Sequence, residues 1–205
     1  MLDNKGFDLW ADDYDKSVGL SDDDNSYPFA GYKEILNQIY NEVLSLKAKK
    51  ILDIGFGTGT LTSRLYEKGI GIYGQDFSKE MFDIAKTKMP DAHLYYRDFS
   101  QGLDEELLAN KYDAIIATYS LHHLEDYEKI YFIKSLLPLL NVGGKILIGD
   151  VAFKTRHELE VCKDQAGDLW DDEEFYFVYD EIKDKFPTAT FNQISHCAGI
   201  ITIKG

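Results

Sequence analysis

The chain has 205 residues, enough for one domain with a full hydrophobic core. Its 22 basic and 36 acidic side chains leave a net charge of −14, a field that repels phosphate backbones and disfavours nucleic acid as a substrate. With 44% hydrophobic and 28% charged residues, no run of roughly 18 apolar residues and no basic, apolar leader, the composition predicts a soluble cytoplasmic protein without a membrane segment.

Residues 1–30 are acidic and irregular, with Trp10, Tyr14, Tyr27 and Phe29 as the apolar points that can pack. From 31 to 46, Ile35, Leu36, Ile39, Val43 and Leu46 recur at helical spacing. A short apolar strand follows (Ile51, Leu52, Ile54), then three glycines, Gly55, Gly57 and Gly59, and a helical pattern over 60–68 closed by Gly69. A second strand at 71–75 leads to Asp76, and Ser78 caps a helix over 79–88 with Pro90 beyond its end. A third strand, 93–97, reaches Asp98, and residues 103–110 suit one or two helical turns. The fourth strand, 112–119, is apolar at its centre, as a strand covered on both faces should be. A helix over 126–137 stops at Pro138, and a turn at 141–144 enters a fifth strand at 145–150. A helix over 155–165, an acidic and aromatic stretch over 168–179 and a short helix before Pro187 come next. Two β-rich runs, 188–195 and 199–204, are joined so closely that they can only pair antiparallel. The pattern predicts one α/β domain spanning 1–205, a doubly wound, Rossmann-like seven-stranded sheet with a C-terminal antiparallel hairpin. Residues 1–46 would supply an arm and helix covering the site.

Strand, glycine turn and helix open a nucleotide-binding fold, in which ligands sit outside the carboxyl ends of the parallel strands. The dinucleotide fingerprint wants its third small residue at position 60, where Thr60 stands. Asp53, two residues before the first glycine, would repel a pyrophosphate but accept hydrogen bonds from an ammonium group. Asp76 and Asp98 close the next two strands, and three carboxylates at one edge repel each other by about 1 kcal/mol per pair at intermediate dielectric. A cationic, donor-rich ligand relieves them, which points to S-adenosylmethionine rather than NAD.

These residues resemble the class I S-adenosylmethionine-dependent methyltransferases. The resemblance rests on Ile51-Leu52-Asp53-Ile54-Gly55-Phe56-Gly57-Thr58-Gly59 as the first motif, on Asp76, on Asp98-Phe99, on Thr118-Tyr119-Ser120-Leu121-His122-His123-Leu124 and on Gly143-Gly144-Lys145. The Trp10-Ala11-Asp12-Asp13-Tyr14-Asp15 opening and the His pair look most similar to the small bacterial YrrT-like group. The resemblance implies the class I methyltransferase fold and S-adenosyl-L-methionine as cofactor. Gly55, Gly57, Thr58 and Gly59 would then admit its methionine part, with Asp53 near the ammonium. Asp76 would bind the ribose hydroxyls and Asp98 the adenine amine, with Phe77, Met81 and Phe99 flanking the ring. Thr118 and Tyr119 would line the floor and Tyr14 would cover the site.

A sulfonium methyl is already electrophilic, so positioning, worth roughly 7–11 kcal/mol in well-oriented intramolecular reactions, can supply much of the catalysis. His122 and His123 are the candidates for a general base, a structural role being the alternative. Cys162 and Cys197 make no C-x-x-C pair, and no spacing of ligands implies a metal. The expected activity is methyl transfer to a small-molecule acceptor by in-line displacement. A non-catalytic S-adenosylmethionine-binding protein and an NAD-dependent oxidoreductase stay open as rivals.

Overall fold

The computed structural model describes residues 25–205. Trp10 and Tyr14, and the acidic run 22–24, therefore lie outside the described residues.

Helix α1 (Tyr32–Ser45) turns Ile35, Leu36, Ile39 and Val43 inward, the residues whose spacing predicted it. Strand β1 (Lys50–Ile54) leads through the glycine loop to α2 (Thr62–Tyr66), and β2 (Gly71–Asp76) leads to α3 (Lys79–Lys88). The Ser78 hydroxyl accepts the Met81 N–H and caps α3 as the sequence predicts. After β3 (His93–Tyr96) come the short α4 (Glu105–Leu108) and β4 (Tyr112–Thr118). Helix α5 (Asp126–Leu136) opens with a capping box between Glu125 and Glu128 and is followed by β5 (Leu140–Phe153). Then follow α6 (Arg156–Ala166), β6 (Phe177–Val178), α7 (Tyr179–Ile182), β7 (Thr190–Gln193) and β8 (Ala198–Lys204).

The strands form one sheet in the order β3-β2-β1-β4-β5-β8-β7. The first five pair parallel, β8 lies antiparallel to β5, and β7 and β8 make the predicted terminal hairpin. Side chains alternate between two cores: Ala114 and Ile116 of β4 join the cluster with α1, α3 and α6, while Ile115 and Ala117 join the one with α4, α5 and α7. A strand covered on both faces must be apolar throughout, which is why β4 reads as a continuous run.

Two details depart from the expectation. The sheet holds an eighth strand, because β5 runs on to Phe153 and Ala152 and Phe153 pair parallel with Phe177 and Val178. The turn expected at 141–144 is a bulge inside β5: Tyr112 pairs with Leu140 and Ala114 already with Lys145. Among the described residues no helix is long and apolar enough to cross a membrane.

Candidate functional site

Strand order reverses between β1 and β4, and there the carboxyl ends of the strands open into a cleft of about 670 Å³. Of the residues singled out from sequence, Asp53, Gly55, Gly57, Thr58, Asp76, Phe77, Met81, Phe99, Thr118, Tyr119 and His123 line it.

The glycine loop is built by contacts that only glycine permits. Gly55 has φ 69°, and a Cβ there would stand 2.5 Å from the Ser120 Cβ. Its neighbour in the cleft, Ser120, donates its hydroxyl to the Ile54 carbonyl at 2.7 Å and ties the end of β4 to β1. Gly59 serves packing: its φ is 76°, and a Cβ would meet the Met89 methyl at 2.9 Å and Ala85 at 3.4 Å. It therefore lets α3 approach the loop, and it is not part of the cleft lining.

Asp76 is 4% exposed, and both its oxygens are set by backbone donors, Oδ2 by the Gly57 N–H at 2.7 Å and Oδ1 by the Ser78 N–H at 2.8 Å. Each carboxylate oxygen has a second lone pair, so the group can still accept from a ligand. Asp53 is 2% exposed and shares the cleft lining with Tyr32 and Leu36 of α1. Burial pushes its carboxyl up to about 8; the Thr62 hydroxyl tempers the rise and the charge of Asp76 adds to it. Neither Asp53 Oδ1 nor the Thr62 hydroxyl completes a hydrogen bond of ordinary geometry among the described residues. A buried acceptor left this way is costly, and a donor brought by a ligand would satisfy it.

Asp98 stands apart from the cleft lining and accepts the Ser100 N–H at 2.8 Å, capping the turn Phe99–Gln101. Phe99, one residue on, is buried in the wall. Tyr119 takes a left-handed φ of 49°, rare for a bulky residue, and its ring lies 5.2 Å from those of Phe29 and Tyr32. Tyr32 and Leu36 bring α1 into the cleft wall, with Phe56, Thr60, Leu61 and Ser120 as further lining residues that sequence reasoning missed. Their only sequence signal is the one-turn spacing of Tyr32 and Leu36 and the nearness of the others to the motifs.

The two histidines diverge. His123 borders the cleft, where burial first and its neighbour His122 second push it down to about 2, making it a weak proton acceptor. His122 is buried behind it, with Nδ1 2.6 Å from Asp150 Oδ1 and Nε2 3.5 Å from Glu174 Oε1. Burial alone would lower its pKa, but the Asp150 and Glu174 carboxylates outweigh burial and raise it.

A parallel sheet with a glycine loop and buried carboxylates at its switch point defines an α/β enzyme of the nucleoside-cofactor type. A family model described as a methyltransferase domain matches residues 51–144. A protein of Alkaliphilus oremlandii described as an uncharacterized methyltransferase is 34% identical over 190 residues, spanning 89% of this chain and 86% of its own. The fold is similar to that of an S-adenosylmethionine-dependent methyltransferase from Clostridium acetobutylicum, with TM-score 0.69 and 16% identity over 93% of this chain and 98% of that one. It is also similar to magnesium protoporphyrin IX methyltransferase from Synechocystis PCC 6803 with bound SAH, with TM-score 0.65 and 20% identity over 86% and 84% of the two chains. The chain belongs to the class I S-adenosylmethionine-dependent methyltransferases.

Proposed function

We propose that the protein transfers the methyl group of S-adenosylmethionine to a small-molecule acceptor in the cleft between β1 and β4. The observation that carries this is the pair of buried carboxylates at the strand ends, Asp53 with one oxygen lacking a partner among the described residues and Asp76 held by two amides. The residues suit the cofactor's donors: Asp53 for the ammonium, Asp76 for the ribose hydroxyls, Phe77, Met81 and Phe99 for the adenine faces. Small-molecule chemistry is favoured by the net charge of −14, which repels polyanionic substrates. The neighbour from Synechocystis, whose name carries a porphyrin acceptor, supports the same class.

When bound, S-adenosylmethionine supplies a methyl group activated by its sulfonium for in-line displacement. The chain contributes position: Asp53 would hold the cofactor's ammonium and Asp76 its ribose, with Thr118 and Tyr119 as cleft lining beside them. Tyr32, Leu36 and Tyr119 present apolar and aromatic surface that excludes water from the reacting atoms. His123 is held neutral in this environment and is a weak base, so the reading favours an acceptor that arrives already deprotonated.

The test is S-adenosylhomocysteine release from the purified protein with a panel of small amines, phenols and carboxylic acids. Turnover that depends on one acceptor class supports the proposal. Tight cofactor binding with no acceptor-dependent release across the panel would favour a non-catalytic binding role instead.

A further inference from the structure

Behind the cofactor cleft, the turn after β4 and the segment before β6 bring together three ligand-type side chains. His122, His123 and Glu174 each offer one ligand atom, and the three lie within 4.8 Å of one another. His122 is buried and oriented: Asp150, itself fully buried on β5, takes Nδ1 at 2.6 Å and turns Nε2 toward Glu174. Glu174 is oriented too, because its Oε2 accepts the Tyr176 hydroxyl at 2.7 Å, which in turn hydrogen-bonds the Tyr27 hydroxyl. Oε1 is left facing His122 Nε2 at 3.5 Å.

That separation is long for a hydrogen bond. Two ligands held about 2.0–2.2 Å from one tetrahedral ion stand roughly 3.3–3.6 Å apart, so the gap fits a bridging cation better than a direct contact. Carboxylate behind histidine, with the metal in front, is the usual outer-shell arrangement of zinc-type sites. Asp150 Oδ2 is also buried with no partner among the described residues, leaving an unsatisfied acceptor beside the imidazole. Lys129 is the nearby cation, but its ammonium is taken by Asp126 Oδ1 at 2.9 Å and by the Phe175 carbonyl.

We propose that His122 Nε2, His123 and Glu174 Oε1 bind one divalent transition-metal ion of the zinc class. Two histidines and one glutamate leave a fourth coordination position open, as in metal sites that do chemistry. His123 borders the cofactor cleft and Glu174 borders the neighbouring solvent-open pocket with Trp170 and Tyr176. The ion would thus sit in the wall between the two, with a path of entry through the second pocket.

The metal site is tested with the metal alone, in the absence of S-adenosylmethionine. Chelator-stripped protein is titrated with Zn²⁺ by calorimetry and with Co²⁺ by visible absorption. The expected result is one ion per chain with the intense bands of four-coordinate Co²⁺. Glu174→Gln and His123→Ala should each abolish those bands, and Asp150→Asn should weaken Zn²⁺ affinity about 10–100-fold. Circular dichroism and melting temperature confirm that each variant is folded, and since Glu174 is only partly buried, at a pocket edge, its variant keeps the test available if a core variant fails. No Zn²⁺ or Co²⁺ uptake, or uptake unchanged in both Glu174→Gln and His123→Ala, would reduce the cluster to an ordinary histidine–glutamate pair and overturn the proposal.

Discussion

Cofactor binding should be coupled to loss of a proton from Asp53. With its carboxyl pushed up to about 8, Asp53 is mainly protonated in the free protein near neutrality. At pH 7 about one molecule in ten has it ionised, so a ligand ammonium that needs the carboxylate gives up about 1.4 kcal/mol of affinity. At pH 6 the ionised fraction is about one in a hundred, so apparent affinity should rise about tenfold from pH 6 to pH 7. The cofactor's own α-amino group, beside a carboxylate rather than an amide, stays protonated over this range and adds little. The assay is calorimetric titration with S-adenosylhomocysteine at both pH values, in two buffers of different ionisation enthalpy. The wild-type protein should release about 0.9 proton per ligand at pH 7, and Asp53→Asn, isosteric but unable to ionise, close to none. Equal proton release by the two proteins, or the same pH dependence of affinity, would show that the ligand does not engage this carboxylate.

The same shift predicts the pH dependence of the free protein's stability. The native state holds the Asp53 proton up to about pH 8, whereas the unfolded chain loses it near its ordinary 3.8. Stability contributed by this site is therefore lost as pH rises through that window, by at most about 1.4 kcal/mol per pH unit, and Asp53→Asn should flatten the slope in denaturant titrations. Asp76→Ala removes the acceptor for the Gly57 and Ser78 amides, so S-adenosylhomocysteine affinity should fall by about 1–3 kcal/mol and the melting temperature should drop as well. Unchanged affinity would remove Asp76 from the site. Gly59→Ala forces a side chain into a left-handed position 2.9 Å from Met89 and should cost about 1–3 kcal/mol of stability by chemical denaturation.

What could be read in advance follows the range of the interaction. The turn at Gly55 and Gly57, and the caps at Ser78 and Gly69, depend on neighbours in the chain, so their chemistry is written locally. Asp53 and Asp76 were legible because a strand's carboxyl end is itself a local feature and the fold places such ends at the ligand crevice. Asp98 and Gly59 also carry local duties that their motif positions do not announce, a turn cap and the close approach of a helix. Ser120 reaches Ile54 across 66 residues, and nothing near Ser120 announces that contact. The eighth strand was hidden for the same reason, since Phe177 and Val178 form it only because β5 extends to meet them. The His122, Asp150 and Glu174 cluster joins a turn, a strand and a loop, so no motif spacing along the chain could reveal it.

A crystal structure of the protein with S-adenosylhomocysteine tests the central claim most directly. It should show one ligand in the cleft between β1 and β4, its ribose hydroxyls on Asp76 and its amine against Asp53. A ligand bound elsewhere, or a cleft that stays free of it at saturating concentration, would contradict the assignment of these buried carboxylates to cofactor binding.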